Sequence, residues 1–395
     1  MTYDFNSRID RKNTGSIKWD LMYKWNPKVD EGVLPLSVAD MELFNPPEIY
    51  EGLIHFIQEK PVLGYTRPTD DFLKAVVSWQ EKRHNWVVNE EWIINTTGVV
   101  SAFNAAIRAF SNPGDGVIIF KPVYYPFSSA ITSNNRVEVN VPLIETDGYY
   151  TIDFEGVEDA ASKEENKILL FCSPHNPVGR VWTKSELERL AEIAIKHDLL
   201  VISDEIWYDF VSPSYEHTIL HKVNKNLQDK LITCTAASKT FNLAGLGTSS
   251  IIISNDKLRE KFSYEVKRSH CNANNIFGFE ATRIAYNECE EWLDYLLELV
   301  YSNKKMVNQF FRDNFPLIKA PISEGTYLQW LDFRGLGMTN KELEDFLHEN
   351  QFFTDEGYIF GREGDGFERI NVALPQDALK ELLERLLLAL KQADK

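Results

Sequence analysis

Between residues 92 and 253 the chain alternates between two hydrophobic patterns. Short runs of consecutive apolar and β-branched residues, at Trp92–Thr96, Val117–Phe120, Lys167–Cys172, Leu199–Ser203, Leu231–Thr235 and Ser250–Ile253, have the length of strands buried on both faces. Between some of them apolar positions recur at helical spacing, which predicts helices over Val99–Phe110 and from about Ser185 to His197. Such alternation argues for an α/β fold, a mostly parallel sheet flanked by helices.

The flanks read differently. Residues 1–45 are polar with scattered aromatics and end in Val33–Asp40, which predicts an arm and a short strand packed on another part of the chain. Pro46-Pro47 opens a helix through Ile57, with proline in the first turn as expected, and a further helix runs from about Asp70 to His84. Beyond Phe277 a long helix is predicted near 279–311, then a strand over Gly325–Leu331, a helix after Thr339 and a last helix at the end. The expected organisation is an N-terminal arm (1–45) that joins a smaller C-terminal α+β domain (286–395), with a large domain over 46–285.

At 395 residues the chain can bury an ample core. A net charge of −17 disfavours nucleic acid as a partner, because no basic face is present to displace counterions. The four cysteines, Cys172, Cys234, Cys271 and Cys289, form no CxxC pair, and no His/Cys/Asp cluster has ligand spacing, so no metal is expected. That cysteine usage suits a reducing compartment, and no window approaches a membrane span; the expectation is a soluble cytoplasmic protein.

Several strand ends carry candidate chemistry. Lys239 follows the apolar run 231–235 in a small-residue turn between two segments that must be buried. Burial lowers a lysine pKa, and a neutral amine can form a Schiff base with an aldehyde; the alternative is a loop lysine reaching solvent. Asp204 ends the strand VIS, at the carboxyl edge where open α/β sheets bind ligands, although a helix cap reads the same way. Asn176 lies in HNPVG just after another strand, where an Asx turn is the simpler reading. Thr97-Gly98-Val99 offers a helix N-terminus able to bind phosphate, Tyr124 stands at a further strand end as a stacking plate or a packing residue, and Arg369 sits among strand-forming residues.

Taken together and in order, TTGVVSAF, KPVYYPF, CSPHNPVGRVW, SDEI, ASKTFNLAGL and FERINVA resemble the fold-type I pyridoxal-phosphate enzymes of the class I/II aminotransferase superfamily. Within it, SIKWDLMY, PLSVADME, VLGYTRPT, EGTYLQWLDFRGL and DEGYIFG are similar to the C–S β-lyase branch, the MalY/PatB-type cystathionine β-lyases and cystalysin. The resemblance covers nearly the full length. It implies that Lys239 holds pyridoxal 5'-phosphate, Asp204 pairs with the ring nitrogen, Asn176 bonds the ring 3-oxygen and Tyr124 stacks on the ring. It further implies that Gly98, Val99 and Ser238 hold the phosphate, Arg369 clamps the substrate α-carboxylate, and Tyr65 reaches the neighbouring subunit's phosphate in a homodimer. Ala39 and Tyr125 are expected to line the substrate pocket.

Two positions depart from the aminotransferase pattern. Trp207 stands three residues after Asp204, where tyrosine is usual, and Gly247 stands eight after Lys239, where a phosphate-binding arginine is usual. The activity implied is α,β-elimination from S-substituted L-cysteines to pyruvate, ammonia and a thiol. Transamination with the same cofactor, and a cofactor-binding regulator that acts through protein contacts, are the alternatives. Cystathionine, cysteine, cystine and larger conjugates stay open as substrates.

Overall fold

The computed structural model describes residues 3–60, 62–272 and 275–393. Its strands, in chain order, are β1 (Ile93–Thr96), β2 (Gly116–Ile119), β3 (Val137–Asn140), β4 (Ile144–Thr146), β5 (Tyr149–Thr151), β6 (Asn166–Cys172), β7 (Leu200–Asp204), β8 (Leu231–Thr235), β9 (Ser249–Ile252), β10 (Leu328–Asp332), β11 (Asp355–Glu356) and β12 (Phe367–Asn371). Seven of them form one sheet in the order β1-β9-β8-β7-β6-β2-β3. β9 is antiparallel to both β1 and β8, while every other pair from β8 to β3 is parallel. The predicted mostly parallel sheet is therefore present, with one reversed strand inside it.

Both faces of the inner strands are covered, which is why they read as continuous apolar runs, whereas the edge strand β3, VEVN, is partly exposed. Side chains alternate across a strand. On β6, Ile168, Leu170 and Cys172 join one core layer while Leu169 and Phe171 join the other. Leu200 and Ile202 of β7 lie in the first layer and Val201 in the second. Asp204, two residues beyond Ile202, thus faces the same side as Cys172, its register partner on β6.

The helices start where their caps say. Thr183 and Glu186 form a reciprocal capping box for Lys184–Lys196, and Thr339 and Glu342 do the same for Asn340–Glu349. The helix predicted near 279–311 is in fact two, Ile276–Glu288 and Glu290–Asn314, joined at Cys289. The sequence around the break, Asn287-Glu288-Cys289-Glu290-Glu291, explains it. Adjacent acids favour a helix start, and Glu290 and Glu291 form the first turn of the second helix.

A second sheet, β10-β12-β11, is antiparallel throughout. The N-terminal arm meets it: the Leu36 N–H donates to the Phe353 carbonyl, and the Leu36 carbonyl accepts from the Asn371 N–H. The expected strand over Val33–Asp40 is an extended segment with these bonds and no full ladder. The arm also contains a helix, Ile17–Trp25, that the hydrophobic pattern did not announce. Its buried residues are Lys18, Trp19 and Met22, and a lysine on the inner face masks the apolar stripe.

Candidate active site

The carboxyl ends of the parallel strands converge on one cavity. β7 ends in Asp204 and β6 in Cys172, followed by the turn that holds Asn176. β8 runs into a four-residue helix, Ala237–Thr240, that carries Lys239 where a turn was predicted. Tyr124 and Tyr125 follow β2, and Arg369 comes from β12 of the second sheet. Ala39, Tyr124, Tyr125, Asn176, Asp204, Lys239 and Arg369, all singled out from sequence, line this cavity together.

Two charges there lack their ordinary surroundings. Asp204 is 1% exposed, and its carboxylate accepts one long bond from the Ile206 N–H at 3.3 Å, with no ion pair among the described residues. Burial pushes its carboxyl up to about 7. Burial likewise lowers the Lys239 amine to about 8, with Arg369 adding to the effect. An unpaired buried carboxylate is costly, so this one fits a cationic group absent from the protein itself. A protonated pyridine nitrogen is such a group, and the amine of Lys239 is the partner an aldehyde requires. The donor set therefore fits pyridoxal phosphate.

Lys239 Nζ donates to the Ala39 carbonyl at 2.7 Å, and the Tyr327 hydroxyl donates to the same oxygen at 2.9 Å. The Tyr124 N–H donates to the Asn176 carbonyl at 3.1 Å, which ties the aromatic to the asparagine turn. Burial raises the Tyr124 phenol well above its usual range, so it stays protonated.

Arg369 is 3% exposed and sits in a fork of acceptors. Its Nε and Nη2 donate to Asp355 Oδ2 at 3.1 and 2.6 Å, and its Nη1 donates to Asn176 Oδ1 at 2.9 Å. A guanidinium has five N–H donors. These bonds use three of them and leave one on each terminal nitrogen, the pair that a carboxylate bridges.

The phosphate-binding candidates lie at the same sheet edge. β1 and β8 flank β9, with Thr96 opposite Ser249 and Thr235 opposite Ser250, so the ends of β1 and β8 lie side by side. Gly98 and Val99 begin the helix Val99–Phe110 there, and half-buried Ser238 belongs to the short helix after β8. Gly98 has φ 134°, a conformation glycine alone adopts readily, and a Cβ there would meet no atom within 4 Å. Its backbone thus opens toward free space. Tyr65 is not brought to the cavity: it is fully exposed in an irregular loop.

The two departures acquire structural reasons. Trp207 is 2% exposed and lines the cavity, edge-on to Tyr327 with ring centroids 4.7 Å apart, while Lys239 Nζ lies 5.3 Å from its ring centre. Tyr208 points elsewhere, as its one-residue offset implies: its hydroxyl accepts from Gln80 and its ring stacks on His84. Gly247 has φ 51° and ends a short helical turn beside Thr97, a position that favours glycine over arginine. Sequence alone leaves Trp207 without a contact and Asp355 without a partner; the latter depends on the pairing of β11 with β12, which places Asp355 opposite Arg369.

Fold and site together define an α/β enzyme framework built around a half-buried lysine, a buried carboxylate with no ion pair among the described residues, and an arginine with two N–H groups to spare. Residues 31–386 match the model of the aminotransferase class I and II family, and the chain belongs to that family. It is 36% identical to cystathionine beta-lyase PatB of Bacillus subtilis over 388 residues, which cover 98% of this chain and 100% of that one. It is 32% identical to protein MalY of Escherichia coli, with 98% and 99% covered. Among solved structures, cystalysin from Treponema denticola, which contains a pyridoxal 5'-phosphate cofactor, superposes with a TM-score of 0.98 at 52% identity over the full length of both chains.

Proposed function

We propose that the protein is a pyridoxal-phosphate-dependent carbon–sulfur β-lyase that converts cystathionine or other S-substituted L-cysteines, with one water, to pyruvate, ammonia and a thiol. The observation that carries the cofactor is the buried, unpaired Asp204 in one cavity with Lys239 and Arg369. The similarity to PatB, and to cystalysin at 52% identity, supports elimination as the reaction.

Bound pyridoxal phosphate supplies an electron sink for negative charge at the substrate α-carbon. Lys239 would hold the cofactor, and its amine would be the base for the α-proton. With its amine at about 8, a sizeable neutral fraction is present near neutral pH. Asp204 would keep a proton on the ring nitrogen, Asn176 would hold the ring 3-oxygen and Tyr124 would stack on the ring. Gly98, Val99 and Ser238 would hold the phosphate, and Arg369 would receive the α-carboxylate on its two remaining N–H groups. Ala39 and Tyr125 border the substrate. A thiol with pKa of roughly 8.5 leaves with little acid assistance.

The active unit in this reading is a cytoplasmic homodimer, with Tyr65 entering the partner's site. Tyr50, Ile54 and Ile57 form one exposed stripe on the helix Pro47–Glu59, and exposed Val62, Leu63 and Tyr65 continue the apolar surface. No helix among the described residues is long and apolar enough to cross a membrane. Residues 46–285 form the large domain, and 286–395 with the arm form the small one.

Borohydride reduction of the cofactor-loaded protein, followed by peptide mass mapping, tests the site. The reading expects the cofactor mass on the peptide containing Lys239; a label on any other lysine contradicts it.

A further inference from the structure

We propose that Asp355 is a positioning residue that couples capture of the substrate carboxylate at Arg369 to the placement of Lys239. The inference rests on the reading of Arg369 and Lys239 given above and adds a connection between them.

One atom makes that connection. Asp355 Oδ2 accepts the side edge of the Arg369 guanidinium through Nε at 3.1 Å and Nη2 at 2.6 Å. The same oxygen accepts the Val38 backbone N–H at 2.9 Å, across 317 residues of sequence. Val38 has φ 54°, a left-handed backbone that a β-branched residue adopts only when its surroundings impose it. The restraints are visible. Asp355 holds the Val38 N–H, and Asn371 Nδ2 donates to the Val38 carbonyl at 3.0 Å and to the Asp40 carbonyl at 2.5 Å. The residue so held between them, Ala39, presents the carbonyl that accepts Lys239 Nζ.

A continuous path therefore runs from Arg369 through Asp355, Val38 and Ala39 to Lys239. Asp355 takes only the side edge of the guanidinium, so a substrate carboxylate on the two remaining N–H groups need not displace it. The carboxylate of Asp355 balances the buried arginine when no substrate is bound, and it fixes the plane of the fork. Strain at Val38 makes the segment 38–40 responsive: a shift of the shared oxygen releases the N–H that keeps Val38 in its unfavourable conformation. Charges facing Lys239 are Arg369, Asp40, Asp204 and Asp355, and the negative charge of Asp355 favours the protonated amine.

The test compares wild type, Asp355→Asn and Val38→Gly as cofactor-loaded proteins. The probe is 3-(methylthio)propionate, an S-alkyl cysteine stripped of its amine, titrated calorimetrically. A spectroscopic pH titration of the bound cofactor, with and without the probe, supplies the second readout. The proposal expects Asp355→Asn to weaken the probe about tenfold and to move the cofactor titration to lower pH. It expects Val38→Gly, for which φ 54° is no strain, to keep probe affinity within about twofold yet abolish the probe-induced shift of the titration. Unchanged affinity and titration in Asp355→Asn overturn the proposal, as does an intact probe-induced shift in Val38→Gly. If wild type itself fails to bind the probe, the reading of Arg369 fails and the proposal falls with it. Normal wild-type binding, lost in Arg369→Ala but untouched in Asp355→Asn, removes the proposal alone.

Discussion

Lys239 Nζ lies 2.7 Å from the carbonyl oxygen of Ala39, a residue 200 positions upstream in the arm that packs on the second sheet. The amine proposed to carry the chemistry is thus held by the N-terminal segment, which also bonds to the second sheet. On the proposed reading, Lys239→Ala removes both the cofactor attachment and the base. Pyruvate release from an S-substituted cysteine is expected to fall by ~10⁴-fold, the scale of a positioned general base. Persistence of the wild-type rate would assign the base elsewhere.

Asp204 gives a prediction about stability. Its carboxyl rises from 3.8 to about 7 on burial, so between those values the folded cofactor-free protein keeps a proton that the unfolded chain has lost. Stability then falls as pH rises through that window, by a cost on the order of 4 kcal/mol that is fully present above pH 7. Cofactor-free Asp204→Asn should therefore be more stable than wild type at pH 8, with the difference vanishing near pH 4. Urea unfolding at the two pH values measures this; a difference independent of pH would contradict it. With cofactor bound the order should reverse, because the variant lacks the anion for the ring nitrogen.

Arg369→Lys keeps the charge but loses the planar fork. One ammonium cannot satisfy Asp355 and Asn176 and also bridge a carboxylate. Steady-state kinetics should show KM for S-methyl-L-cysteine raised roughly tenfold to a hundredfold, the worth of charge-assisted hydrogen bonds, with kcat changed less. An unaltered KM would remove Arg369 from substrate binding.

The continuous apolar runs made six of the large sheet's seven strands legible, because a strand buried on both faces has no polar side to disguise it, whereas the partly exposed edge strand β3, VEVN, escaped notice. Lys239, Asp204 and Asn176 were legible for a related reason: each follows such a run at the sheet's carboxyl edge. What sequence concealed depends on pairing. Asp355 acquires its meaning from standing opposite Arg369 in an antiparallel register that no local pattern fixes. The helix Ile17–Trp25 was hidden by Lys18, buried at 1% exposure because Asp40 and Glu42 receive its ammonium. Cys289 divides a helical pattern whose apolar spacing continues across the break.

Tyr65 tests the dimer. Tyr65 is fully exposed in the single chain, and in the proposed dimer it acts in the partner's site. Tyr65→Ala and Lys239→Ala are each expected to be inactive or nearly so. Mixed and allowed to exchange subunits, they should regain about a quarter of wild-type activity, since one site in each hybrid dimer has both residues intact. No recovery after demonstrated exchange would place Tyr65 outside the partner's site.

The central claim is elimination at the carbon–sulfur bond, and product stoichiometry tests it most directly. Protein loaded with pyridoxal phosphate is incubated with cystathionine or S-methyl-L-cysteine, and pyruvate and free thiol are counted. A parallel incubation supplies a 2-oxo acid and is scored for amino transfer. Equal amounts of pyruvate and thiol, with little transfer, are the predicted result. Amino transfer without thiol would contradict the lyase reading while leaving the fold, the lysine and the cofactor in place.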